Sequence, residues 1–377
     1  MSSTVNPSQK QRLDWIDQTK GLAILGIIFF HFFQNYPDKL PLVSILDRSG
    51  AKIGYAAVDI FFLMAGFNTS YILAAATQKY SLPQITTNWK SWLLKRLDRI
   101  YPTYFLAVVC SLLLYFIFGY QYKIKSSLEF LLSLLGLAGY QWQSINPGFW
   151  FFTVILQLYL LTPLIFLNCK SKPRSILVLG IVVGVITKIL GFYLLKNQSQ
   201  WFGFFLGNNI FLSYFFQYGM GLYWGIIYYQ NQNHFRIRDF TYSFLAFSLG
   251  LILYIYLALT KVDIVYMLGF DILFTPLMFL GCYRLFEWLK QYKGYLFYGL
   301  ALLSLMGLYS YQIYLIHQPL FLVILPVFNH FLSINSYLKI IIAIIGISIL
   351  LSVYLIGFIH LEKWIRKIIL KRLKPLS

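Results

Sequence analysis

Lys20 and His31 stand at the entrance and in the middle of the chain's first strongly apolar stretch, which runs from Gly21 to Phe33. A polar, ionisable side chain at bilayer depth is costly, so it reads by default as functional. A neutral imidazole is a competent general base, and a lysine offers a point charge to an anion. Eleven residues at about 100° each return to within roughly 20° of the same helix face, and the two residues then stand about 16 Å apart along it. One stripe would thus connect a membrane surface to a base near the midplane. Asp17, Gln34 and Asn35 lie on or near it. The alternative is a histidine that only hydrogen-bonds a neighbouring helix.

Four further groups could carry chemistry. Arg96 and Arg99, three apart in Lys95-Arg96-Leu97-Asp98-Arg99, share a helix face. Paired guanidinium forks suit phosphate or pyrophosphate, although an anchor on lipid headgroups fits equally well. Asp59 places a carboxylate inside the second apolar stretch, where a hydrogen bond to His31 would orient the imidazole; a contact that only fixes helix packing is the other reading. Trp150 and Tyr159, with Gln157 and Pro163, could line a polar cavity or simply pack, and Tyr314, His317 and Gln318 pose the same choice. Asp271 is also intramembrane, suited to a pocket wall or to a partnership with Lys188. Signatures of soluble enzymes are missing: there is no phosphate-binding glycine loop, no G-x-S-x-G and no H-E-x-x-H. Cys110, Cys169 and Cys282 have no metal-ligand spacing, so no metal is expected.

The elements that must position these residues are membrane helices. The 377 residues are 59% apolar and 20% aromatic, and stretches long enough to cross a bilayer recur from end to end. Lys and Arg number 31 against 12 Asp and Glu, but they sit in short loops, without the contiguous basic domain a nucleic-acid binder would need. Eleven segments can be drawn, at about 21–37, 54–76, 100–119, 127–142, 149–167, 175–195, 207–229, 241–260, 264–283, 297–328 and 336–360. The fourth is the weakest. If Leu128 to Trp142 does not cross, about 22 basic residues fall inside and about 8 outside, with Lys188 in a span. The expectation is therefore an all-α polytopic membrane protein. It has about ten transmembrane helices, one short non-crossing segment and both termini cytoplasmic, in the cell (plasma or inner) membrane. Residues 1–377 form a single domain, with a cytoplasmic leader at 1–19 and a basic amphipathic tail at 361–377 lying on lipid.

With these residues assembled, the sequence resembles the acyltransferase 3 family of integral membrane acyltransferases. Lys20-x10-His31 is similar to the family's opening block of a basic residue, ten positions and a histidine. Ala57 to Phe67 resembles its G-V-D-x-F-F-x-x-S-G-F block, Arg96 to Pro102 its R-x-x-R-I-x-P block, and Ser310 to Pro319 its S-x-x-x-Y-L-x-H-x-P block. Two positions depart from it: Gln157 stands where many members carry glutamate, and Ala65 where the family has serine. The resemblance implies an O-acyltransferase that moves an acyl group, acetyl first among them, from cytoplasmic acyl-CoA (acetyl-CoA) to a sugar hydroxyl of an extracytoplasmic or lipid-linked glycan. In that scheme Arg96 and Arg99 hold phosphates of the donor and Lys20 draws it in. His31 acts as base or transient acyl carrier, Asp59 orients it, and Trp150, Tyr159 and His317 shape the carbohydrate side. A glycan or organic-acid transporter and a non-catalytic member of a glycan-synthesis complex are the rival classes. The inverted repeats of many transporters are not visible here.

Overall fold

The computed structural model describes residues 13–38, 40–79, 87–122, 124, 126–169, 172–259, 270–331 and 336–373. Residues 1–12 of the leader, Lys170, the start of the 264–283 segment and Lys374 to Ser377 lie outside them. Among the described residues the regular structure is entirely helical. In chain order the helices are α1 (Asp14–Asn35), α2 (Pro41–Lys79), α3 (Trp89–Ile117), α4 (Ser127–Leu134), α5 (Trp150–Asn168), α6 (Pro173–Lys196), α7 (Phe202–Leu206), α8 (Phe215–Gln230), α9 (Ile237–Leu259), α10 (Phe270–Leu289), α11 (Tyr295–Leu308), α12 (Ser310–Phe331) and α13 (Ser336–Leu373). Backbone groups in lipid have no water to bond, so each span satisfies them internally.

Nine of these helices are long and apolar enough to cross a membrane: α1, α2, α3, α5, α6, α9, α10, α12 and α13. The protein is a multi-pass, all-α membrane protein. The expected crossing at 207–229 corresponds to α8, whose sixteen residues follow a 3-10 turn at Phe211–Tyr214 and are buried almost throughout. The weak fourth segment contains only the eight-residue α4, about 12 Å long and too short to cross. Its continuation folds back onto the bundle, where the Thr153 hydroxyl donates to the carbonyls of Gly136 and Ala138 at 3.0 and 2.7 Å.

Lipid-facing and core-facing helices separate clearly. On α9, Leu245, Ile252 and Tyr256 are exposed, as are Ile345, Ile349 and Val353 on α13. Such faces would aggregate in water and are ordinary in hydrocarbon. The centre is built from α1, α2, α5, α8 and α12, and glycine lets two of these helices touch. A Cβ at Gly66 of α2 would strike the Tyr218 carbonyl on α8, and one at Gly221 of α8 would strike the Leu63 carbonyl on α2. Small residues at a helix contact allow this approach of backbones.

Two expectations change. The single segment 297–328 is two helices broken at Tyr309, where the Ser310 hydroxyl donates to the Gly307 carbonyl at 2.9 Å. Both halves are apolar, so hydropathy alone joins them. The final helix does not stop at 360 but runs to Leu373, through most of the stretch read as a separate tail.

Candidate functional site

His31 projects from α1 into a cavity of about 850 Å³, lined also by Asn35, Asp59, Trp150, Lys188, Asp271 and Tyr314. The non-crossing segment supplies another wall through Tyr140, Gln143 and Ser144. The imidazole does not meet Asp59. Its Nδ1 lies 2.7 Å from Nε2 of His317 on α12, and the two rings stack with centroids 5.0 Å apart. His317 in turn places Nδ1 3.0 Å from the carbonyl oxygen of Ile313. A carbonyl only accepts, so Nδ1 of His317 carries the proton and its Nε2 offers a lone pair. Nδ1–H of His31 donates to that lone pair. The proton-free Nε2 of His31 is thereby left without a partner among the described residues, in a side chain that lines the cavity. This is the tautomer a general base requires.

Asp59, expected beside the imidazole, is instead bound from α8 and α10. Gln217 Nε2 donates to its Oδ1 at 2.9 Å and the Thr275 hydroxyl to its Oδ2 at 3.2 Å. His317, expected to line the carbohydrate side, is fully buried behind His31. Both assignments missed because sequence shows which groups are polar but not which helix faces which. Trp150 lines the histidine cavity, in a stack with Tyr214 at 5.4 Å and 18°.

A second cavity, of about 280 Å³, holds Lys20, Arg96 and Arg99 together. Arg96 lies over the rings of Trp92 and Tyr159, at 5.4 and 5.8 Å, a cation–π arrangement that steadies the guanidinium. Tyr159 thus belongs to the arginine cavity and not to the histidine cavity. Lys20 also touches Asp17 at 3.4 Å. The shared stripe on α1 therefore serves two cavities, Lys20 one and His31 the other. Tyr314 of α12 lines both.

Two residues of the arginine cavity were absent from the sequence expectations. Glu362 on α13 accepts from the Thr103 hydroxyl at 2.5 Å, from Gln312 at 3.2 Å and from Arg366 Nε at 3.1 Å. Arg366 also donates to the carbonyls of Asp98 and Arg99 at 2.9 and 3.0 Å. The only signal was an i, i+4 Glu–Arg spacing, which an exposed amphipathic tail shows as well. Gln157, at the departing glutamate position, lines neither cavity; its Oε1 accepts from the backbone N–H of Phe211 at 2.7 Å.

A wall of cations beside a cavity with a bare imidazole nitrogen can hold an anionic carrier on one side and deprotonate a hydroxyl on the other. Compared with known sequences, residues 13–356 match the family described as an acyltransferase domain. No curated protein and no solved structure matches.

Proposed function

Because the chain belongs to the acyltransferase 3 family, a family of membrane acyltransferases, we propose that it transfers an acyl group, acetyl first, from acyl-CoA to a carbohydrate hydroxyl. The reading rests on one observation above the others: two cavities of opposite character meet at Tyr314, and the helix that carries Lys20 into one carries His31 into the other.

The arginine cavity fits the donor's chemistry. Lys20, Arg96 and Arg99 supply a point charge and two forks for phosphate oxygens. The strong positive-inside bias of the sequence supports a cytoplasmic position for this cavity, where acyl-CoA would reach it. An acyl thioester, once bound, supplies an activated acyl carbon. His31 Nε2 takes the proton of the attacking hydroxyl, the oxygen forms the ester bond, and the thiolate leaves as the C–S bond breaks. Nδ1–H, held by His317, keeps the ring in the required tautomer as Nε2 becomes protonated. His317 therefore takes the orienting role first expected of Asp59. Trp150 and Tyr214, stacked on each other, add aromatic surface to the wall of the histidine cavity, where a sugar could pack.

The test uses the purified protein in lipid nanodiscs with [14C]acetyl-CoA and a fraction of membrane or surface glycans. Label is expected on sugar, with stoichiometric release of free thiol. An intact thioester after glycan binding would move the reading to a transporter.

A further inference from the structure

Lys188 of α6 and Asp271 of α10 form an ion pair at 2.9 Å on the wall of the histidine cavity, their side chains 15% and 3% exposed. The pair continues inward: Gln217 Nε2 donates to Asp271 Oδ2 at 2.8 Å and to Asp59 Oδ1 at 2.9 Å, so one amide joins both carboxylates. Lys188, Gln217 and Asp271 fall in none of the sequence blocks that carry the family resemblance. Charges at bilayer depth are expensive, and a pair serving only to join α6 to α10 could be replaced by apolar packing without loss.

The network has unused valences of both kinds. Among the described residues the buried Asp271 Oδ1 and Gln217 Oε1 have no hydrogen-bond partner, and of the two side chains Asp271 lines the cavity. The Lys188 ammonium has three N–H groups and Asp271 takes one. A hydroxyl both donates and accepts, so adjacent hydroxyls match a carboxylate oxygen beside an ammonium. Among the described residues that line this cavity Asp59 and Asp271 outnumber Lys188, so a carboxylate or phosphate on the ligand would meet a net negative field from this wall in a low dielectric.

Resting on the acyltransferase reading of this cavity, we infer that the Lys188–Asp271–Gln217 network is the recognition site for the acyl acceptor and selects an uncharged polyhydroxyl sugar over an anionic one. Trp150 and Tyr214, which line the same cavity, border the apolar side of the ring while the network takes its hydroxyls.

The test compares methyl β-D-glucopyranoside with methyl β-D-glucuronide, which differ by one carboxylate, as acceptors for [14C]acetyl-CoA in nanodiscs. The neutral glucoside is expected to be used with kcat/KM at least tenfold higher. Lys188→Met and Asp271→Asn are expected to raise the KM for the glucoside at least tenfold and leave the KM for acetyl-CoA within twofold. Asp271→Asn should also narrow the gap between the two sugars. Since one half of a buried pair left alone can unfold the protein, the reciprocal exchange of Lys188→Asp with Asp271→Lys keeps the pair and is read beside them. It is expected to retain the wild-type Tm and still show the raised acceptor KM. Recovery of the wild-type KM in the exchange, unchanged acceptor KM in the single variants, or equal use of the glucuronide overturns the inference. Where neither small glycoside reacts, mass analysis of glycans acetylated by the protein decides: acetyl on a neutral residue supports the assignment and acetyl on a uronic acid overturns it. Absence of transfer to any glycan, with the thioester intact, instead defeats the acyltransferase reading itself.

Discussion

His31 Nδ1 lies 2.7 Å from His317 Nε2, so the base on α1 is held by a residue 286 positions further along the chain. The second histidine is itself fixed through Ile313, one turn earlier on α12. A chain of three groups therefore sets which nitrogen of His31 is free. Such a relay is a two-helix device, since neither α1 nor α12 could orient the imidazole alone.

Replacing His31 with Ala removes the base and is expected to abolish acyl transfer while leaving acyl-CoA binding intact. His317→Ala keeps the base but frees its tautomer, and should lower kcat by about 10²-fold with both KM values unchanged, the lower end of what a positioned base contributes. Steady-state kinetics in nanodiscs distinguish the two. An equal rise in KM for donor and acceptor would mean that His317 serves packing instead.

Arg96 and Arg99 are predicted to act on the donor alone. Loss of a hydrogen bond to a charged group is worth about 1.5–3 kcal/mol, so Arg99→Ala should weaken acyl-CoA binding by roughly 10- to 100-fold. Lysine at either position should recover only part of this, because a point charge cannot replace a planar fork. Calorimetric titration with acetyl-CoA checks both. Unaltered affinity in the double Ala variant would leave these arginines as lipid anchors.

What the sequence made legible follows from the cost of polarity in lipid. Lys20, His31 and the Arg96–Arg99 pair stood out because each breaks or borders an apolar stretch, and each lines a cavity in the fold. Pairings across helices were not legible. Asp59 was the expected neighbour of His31 and His317 was read as part of the carbohydrate side, and only the packing of α12 against α1 brings His317 to the imidazole. The break at Tyr309 escaped because hydropathy is blind to it. Glu362 escaped for the opposite reason: its surroundings look like a solvated amphipathic face until α13 packs on α3 and leaves the residue only 8% exposed.

The α13 clasp lies beyond the residues matched by the family, yet Arg366 holds the carbonyls of Asp98 and Arg99 beside the arginine cavity. Arg366→Ala removes the side-chain donor to those two carbonyls and one of the three residues that donate to the Glu362 carboxylate, and is expected to lower stability by about 1–3 kcal/mol. Arg366→Lys should rescue little, since one ammonium cannot reach the same set of acceptors. Thermal unfolding in detergent measures the loss. A raised KM for acyl-CoA at temperatures where the variant remains folded would show that the clasp also aims the arginine pair.

Tyr314 lines both cavities, and its ring packs against Phe151 at 4.8 Å and against His317 at 5.8 Å. A donor held among the arginines must bring its acyl carbon past this side chain to reach the base, and water from the histidine cavity must pass it in the other direction. Tyr314→Ala should therefore join the cavities and let water compete with the acceptor, raising thioester hydrolysis relative to transfer. Tyr314→Trp enlarges the partition and should suppress transfer while acyl-CoA still binds. The ratio of free acetate to acetylated sugar, followed with labelled acetyl-CoA, reports the balance. An unchanged ratio in the Ala variant would place the acyl path elsewhere, because opening the wall between water and thioester without added hydrolysis requires that the two never meet at this residue.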